Sequence, residues 1–336
     1  MSEVLARIEF TAWERLASLR LTIGSLVALA IGVLWSYQGH MNSRWALALP
    51  LAVLAINLLA AVAARPVLRA QQALLVFHLG LIVLVVLLAA GRLTYLRGSV
   101  EVTQGAEFDG ELSAVEAGPW HGDGLTRVRF VNKGFRIAYS KGVQRDATRN
   151  AVSYLDAAGA ARDQEIGDQT PLVLAGYRFY TTPNKGFAPT FVWYPADGGP
   201  PVKGAVHLPA YPVHEYRQAR DWLLPGTAIK LWTLLQFDEL ILDPARASEF
   251  RLPSQYQVVV RVGELRHVMR PSEAVELPQG RLVFEGLHTW MGYAVFYDWT
   301  IQWLLAVCAI SVGALGWHFW GKFGAHPWNR DVGAPS

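Results

Sequence analysis

Four apolar runs fix most of what this 336-residue chain can become. Leu21–Tyr37, Trp45–Ala64 and Ala70–Gly91 follow one another almost without a break, and Ile301–Phe319 stands near the C-terminus. Each is close to the ~20 residues that a helix needs to cross the hydrocarbon of a bilayer. The pattern predicts an integral membrane protein with four transmembrane helices, three N-terminal and one C-terminal. Two further runs follow the first at once, which fits a multi-span anchor and not a cleaved signal peptide. The expected division is 1–96 for the N-terminus and three spans, 97–298 for a large outer domain, 299–322 for the last span and 323–336 for a tail without the pattern of a packed element.

Basic residues in the short loops set the orientation. Arg7, Arg15 and Arg20 precede the first span, Arg65 and Arg69 separate the second from the third, and Lys322 and Arg330 follow the fourth. The loop between the first two spans has only Arg44. Both termini are therefore expected in the cytoplasm and the 97–298 domain in the periplasm of a bacterial inner membrane. Within 97–298 there are 21 Lys and Arg against 23 Asp and Glu, so the basic excess of the chain sits around the spans. No clustered basic surface of the kind a nucleic-acid partner needs is expected. The single cysteine, Cys308, lies in the last apolar run, which excludes an internal disulfide, a CxxC redox pair and a covalent CxxCH haem site.

The outer stretch reads as β-rich. FRIAYS, NAVSYL, RFYTT, TFVWYP, YQVVVRV and RLVFEGL are short runs of β-branched and aromatic residues with Gly, Pro, Asn and Asp between them. A sandwich or open barrel is expected. Two helical pieces are also expected, around Pro212–Leu224 and around Thr227–Leu242, where Leu231, Leu234, Leu235 and Leu242 recur at helical spacing.

His78 is the residue that most invites chemistry. It stands eight residues into the third run, roughly 12 Å from its cytoplasmic end. An ionisable side chain at that depth points to function, and a neutral imidazole there can serve as an axial haem ligand; the structural alternative is a histidine bonded to a helix backbone. Gly80 and Gly91 share the run and suit close helix packing. Arg92 and Arg97, just beyond it, could pair with carboxylates of a ligand such as haem propionates or reach for lipid headgroups. His288, in GLHTWMGYAVFYDW, and His40 are expected near the outer membrane surface, and His318 near the inner one. An aromatic shelf beside His288 could face a porphyrin or form a headgroup belt. His121, His207, His214 and His267 have no metal-ligand spacing and read as residues of the outer domain.

The whole layout resembles the ResB (CcsB) proteins of system II cytochrome c biogenesis. RLASLRLTIGSLVALAIGVL is similar to the family's first span, FHLGLIVLVVLLAAGRL to its third, with His78 and Gly80 at the matching places. IGDQTPLVLAGYRFYTTPNKGFAP is similar to an outer-domain motif, and GYAVFYDWTIQWLLAVCAISVGALGWHFW to the entry of the last span. The cysteine that many members carry before the arginine at the end of span two is absent from INLLAAVAARP.

The resemblance implies a subunit of a cytochrome c assembly complex that handles haem b, exports it and presents it with apocytochrome c for attachment. It implies a CcsA/ResC-like membrane partner carrying a WWD segment, apocytochrome c as a second partner, and a thioredoxin-like thiol reductant as a third. His78 inherits the role of haem-iron ligand, with Arg92, Arg97 and His288 as further cofactor contacts. A competing reading is a membrane-anchored scaffold whose outer domain docks periplasmic proteins and whose spans bind nothing. A cytochrome b electron-transfer subunit is disfavoured, because that class shows two or more deep histidine pairs and this chain has one deep histidine.

Overall fold

The computed structural model describes residues 13–38, 43–213 and 217–324. Arg7, His40, His214, Arg330 and the tail beyond Gly324 lie outside the described residues. Two compact units emerge. One comprises the N-terminal stretch to Leu96, the strip Ala117–Gly122 and the stretch from Asp298 onward; the other comprises Arg97–Glu116 and Asp123–Tyr297.

The first unit is helical: α1 (Leu19–Tyr37), α2 (Ser43–Ala64), the short α3 (Pro66–Ala70), α4 (Gln72–Thr94) and α5 (Thr300–Gly324). Among the described residues four of these, α1, α2 from Trp45, α4 and α5, are long and apolar enough to cross a membrane. The third begins at Gln72 and not at Ala70, because Gln71 adopts an extended backbone and separates it from α3. The fourth runs on to Gly324, one turn beyond the expected end. Large apolar side chains point away from the unit, among them Leu34, Leu305, Val312 and Trp320. Such a surface suits hydrocarbon, where only helices and closed barrels satisfy their own backbone. Several polar side chains inside the unit are tied locally. Asn57 is buried in α2, donates to the carbonyls of Leu16 and Ser18, and accepts from the Thr22 hydroxyl at 2.7 Å. The Ser18 side chain caps α1 by accepting from the Leu21 amide.

The second unit is built on two long antiparallel strands, β1 (Tyr177–Pro195) and β2 (Gly280–Tyr297), in register from Arg178 opposite Phe296 to Pro195 opposite Gly280. RFYTT and TFVWYP are thus parts of one strand, with register shifts between Thr181 and Lys185 and between Thr190 and Phe191. Further strands, including Leu96–Thr103 and Val202–Ala205, complete a seven-stranded sheet. Two four-stranded sheets and a small three-stranded one account for the rest, in place of a single sandwich or barrel. Near one end of the β1–β2 pair Phe108, Phe130, Phe179 and Tyr293 pack ring against ring at 5.1–5.4 Å. The buried Tyr293 hydroxyl donates to Asn150, which donates in turn to Asn132 and to the Gly134 carbonyl. Burial pushes that phenol's pKa up despite the bond. Near the other end Phe187, Phe191, Trp193 and Phe284 meet the buried face of Val258 and Val260.

Among the described residues neither helical piece expected within 212–242 is a helix, and each contains a strand; residues 214–216 lie outside the described residues. Ala219–Leu223 and Lys230–Gln236 pair antiparallel, from Ala219 opposite Leu234 to Leu223 opposite Lys230. The leucine spacing at 231, 234 and 235 fits a helix, but burial alternates: Leu231, Thr233 and Leu235 face inward, with period two. Gly226 and Pro225 sit in the intervening turn, with Gly226 at φ +72°, and Trp232 and Thr233 are strand formers.

Lys185, at the register shift of β1, is buried, and its ammonium donates to the Thr182 carbonyl at 3.0 Å. Burial, reinforced by the charge of Arg145 and opposed by that of Asp168, lowers its pKa to about 8. The unfolded lysine titrates at about 10.5. Between these values the unfolded chain binds a proton that the folded chain does not, so stability rises with pH across that window and is lowest below it. The denaturant midpoint of the β-rich unit, followed by tryptophan fluorescence, should therefore increase from pH 8 to pH 10. Lys185→Met should flatten that rise; an equal rise in the variant would assign it to other groups.

Candidate functional site

The α4–α5 pair holds the residues that the sequence singles out most sharply. The two helices run antiparallel, with Gly80 against Ser311 and Gly91 against Thr300. A Cβ added at Gly80 would fall 2.1 Å from the Ser311 hydroxyl, so the glycine is what lets the helices come this close. Ser311 is buried, and its hydroxyl oxygen has no partner. The sequence reading missed this residue; a lone serine in an otherwise apolar run, opposite a small residue of another run, was the available signal.

His78 lies two residues before Gly80, half-buried, with Phe77 edge-on to its ring. Its Nδ1 is 2.8 Å from the Leu74 carbonyl oxygen, one helical turn back. A carbonyl only accepts, so Nδ1 carries a proton, and of the two neutral tautomers this bond selects the one whose lone pair is at Nε2. This is the tautomer that a metal-ligating histidine needs, with the second nitrogen fixed by a backbone acceptor. The side chain thus fits a haem iron ligand, while the hydrogen bond alone would also satisfy a purely structural histidine. The Leu74 side chain also lines a cavity of ≈480 Å³ with Gln71, His318, Gly321 and Lys322. That cavity lies within the usual size range for small-molecule sites.

Of the other expected contacts, only Arg92 shares a unit with His78. Arg92 is 14 residues further along α4, about 21 Å of helix away, too far to share one porphyrin with it. Its guanidinium lies 4.6 Å over the Tyr95 ring, and its buried Nε has no partner. Arg97 opens the β-rich unit, exposed, with its guanidinium 5.8 Å from the Phe296 ring. His288 sits midway along β2, opposite Ala188. Nine residues, roughly 30 Å of strand, separate it from the end of β2 at Tyr297.

Two further described histidines, His121 and His207, are engaged in structural contacts. His121 belongs to the helical unit and not to the outer domain, since its Nδ1 meets the Thr94 carbonyl at 2.8 Å. His207 bridges Glu101 and Thr103 with its two ring nitrogens and stacks on Trp290. Burial by itself would raise the Glu101 carboxyl, but its bond to His207 and the charges of His207 and Arg220 hold it below its ordinary value. Among the described residues no group of three or more His, Cys, Asp and Glu could hold a metal ion.

A family model described as the ResB-like family matches residues 61–214, a stretch that includes His78, Gly80, Arg92 and the 166–189 motif. No curated protein matches the chain.

Close packing at Gly80 can be checked directly. Gly80→Leu should lower the melting temperature in detergent, since overpacking typically costs ~1–3 kcal/mol. Gly313→Leu is the control, because an added Cβ there meets nothing. Equal melting temperatures for the two variants would contradict the packing described.

Proposed function

We propose, from the match of residues 61–214 to the ResB-like family, which is associated with cytochrome c biogenesis, that this chain is a haem-handling subunit of a cytochrome c assembly complex. The single observation that carries the reading is His78, held by the Leu74 carbonyl in the tautomer that leaves Nε2 free, on a helix long and apolar enough to span a bilayer. His78 Nε2 would hold the iron of bound haem, which would supply the redox-active group to be delivered. The neighbouring groups do the rest: the Leu74 carbonyl fixes the ring, and Gly80 and Ser311 bring α5 close. A further ligand would come from a partner, which we take to be a CcsA/ResC-like membrane protein.

The same reading places the chain in a bacterial inner membrane, with 1–96 and 299–322 holding the spans and the 97–298 domain in the periplasm. There the outer domain would meet apocytochrome c, and a thioredoxin-like protein would keep the apocytochrome thiols reduced. Arg92 and Arg97, on the same outer side, are better suited to headgroups or to a second haem position than to the haem at His78. His288 would contact haem only if haem reached the middle of β2.

Two measurements test this. The chain purified with its partner should show a Soret band. His78→Ala should remove most of it and lower cytochrome c maturation at unchanged protein level, with part of the activity restored by added imidazole. An unchanged band in the variant, or no band in either protein, would leave the scaffold reading as the better account. For the orientation, a reporter active only in the periplasm should give signal when fused after Gly98 and none when fused after Arg69. The opposite pattern would reverse the topology.

A further inference from the structure

The cavity of ≈480 Å³ in the helical unit lies where α4 begins and α5 ends, and its lining brings Gln71, His318 and Lys322 together with Leu74 and Gly321. Gln71 stands at the N-cap of α4, but its side chain makes no cap hydrogen bond. His318 and Lys322 are four residues apart on α5, so their side chains share one face. An amide, an imidazole and an ammonium thus meet at one cavity. The imidazole has an N–H to give in either tautomer, so all three can donate. Among the described residues no carboxylate lines the cavity, and none of the three side chains makes a hydrogen bond or an ion pair.

The described part of the unit holds only two carboxylates, Glu14 and Asp298. Asp298 stands just before α5, at the end opposite Lys322, and accepts from the Thr300 amide and hydroxyl. A second observation concerns what surrounds the donors. α4 and α5 are both long and apolar enough to cross a membrane. In a bilayer, a cavity at their ends would stand where hydrocarbon gives way to headgroups. Trp317, Trp320 and Phe323, beside the lining residues in sequence, are exposed, as is Val76 on α4. Aromatic side chains at a span end suit that level. Donors at the cavity with apolar surface beside them fit one amphiphile better than a freely soluble anion.

We infer that this cavity seats the headgroup of an anionic phospholipid, whose phosphate accepts from Lys322, His318 and Gln71 and whose acyl chains lie along the exposed apolar side chains of α4 and α5. Basic pockets between membrane helices take anionic headgroups in this way. The net charge of Lys322 favours an anionic lipid over a zwitterionic one, because no carboxylate of the described lining offsets it. The inference goes beyond the haem reading and does not rest on it, since it makes no use of His78. A lipid held there would tie the start of α4 to the end of α5, the helices that meet farther along at Gly80 and Ser311.

The test uses the full chain in detergent micelles, titrated with phosphatidylglycerol and read by mass spectrometry of the intact complex. Phosphatidylglycerol should be retained at least about fivefold more tightly than zwitterionic phosphatidylcholine. Lys322→Gln should weaken its retention by about the same factor, and His318→Leu should weaken it too. Lys322→Arg keeps the charge and should retain the lipid, which guards against a folding defect at that position. Arg69→Gln removes a cation from the last turn of α3, outside the cavity lining, and should change nothing. Equal retention of the two lipids would overturn the inference, as would no retained lipid. So would equal losses in Arg69→Gln and Lys322→Gln, because overall charge would then be the cause. Displacement of the lipid by inorganic phosphate or by one equivalent of haem would also overturn it, since the cavity would then belong to a soluble oxyanion or to haem carboxylates.

Discussion

A backbone in hydrocarbon must satisfy its own N–H and C=O groups, and the helical unit is organised around that constraint. Its helices are long, outwardly apolar and closely packed, and several polar side chains within them, Ser25, Asn57, His78 and Thr94 among them, answer to backbone carbonyls, while the Ser311 hydroxyl does not. Asn57 closes the start of α1 against α2 through two carbonyls and the Thr22 hydroxyl. His78 obeys the same rule through the Leu74 carbonyl, but it differs in one respect. Asn57 uses both ends of its amide, whereas His78 uses one nitrogen and keeps the lone pair of the other. The atom left over by the packing requirement is the one that can do chemistry.

The β-rich unit answers a different constraint. A sheet presents polar edges, and each edge must be paired, covered or left to a partner. The long β1–β2 pair is flanked on both sides within the seven-stranded sheet. Near one end the polar relay from Tyr293 through Asn150 to Asn132 leaves no buried group of the three without a bond.

The helices were legible in the sequence because length and hydropathy suffice to find them. Their ends were less so: the break at Gln71 depends on one backbone conformation that apolar runs do not encode. The strand segments were also legible from β-branched and aromatic runs, but their joining into two strands of 19 and 18 residues was not, since Pro183, Asn184 and Gly186 look like a turn and form a register shift. The 230–236 stretch misled because three leucines at helical spacing outweighed its Trp and Thr, and only burial shows the period of two. At the site, His78 and Gly80 could be named from position alone. The Nδ1 bond, the unpartnered Ser311 hydroxyl and the distance of Arg92 from His78 are three-dimensional facts. Charge near a span end made Arg92 and His288 look like companions of His78, but sequence gives no distance along a helix or strand to a shared ligand until both elements are in place.

The central claim is that His78 holds its proton on Nδ1 and offers Nε2 to haem. Nitrogen-15 NMR of histidine-labelled protein in nanodiscs, assigned with His78→Gln, tests this on the unmutated chain. The account predicts a neutral His78 ring with Nδ1 protonated, and a loss or large displacement of the Nε2 resonance when haem is added together with the partner protein. A His78 ring protonated at Nε2, or an Nε2 resonance that haem leaves in place, would contradict it.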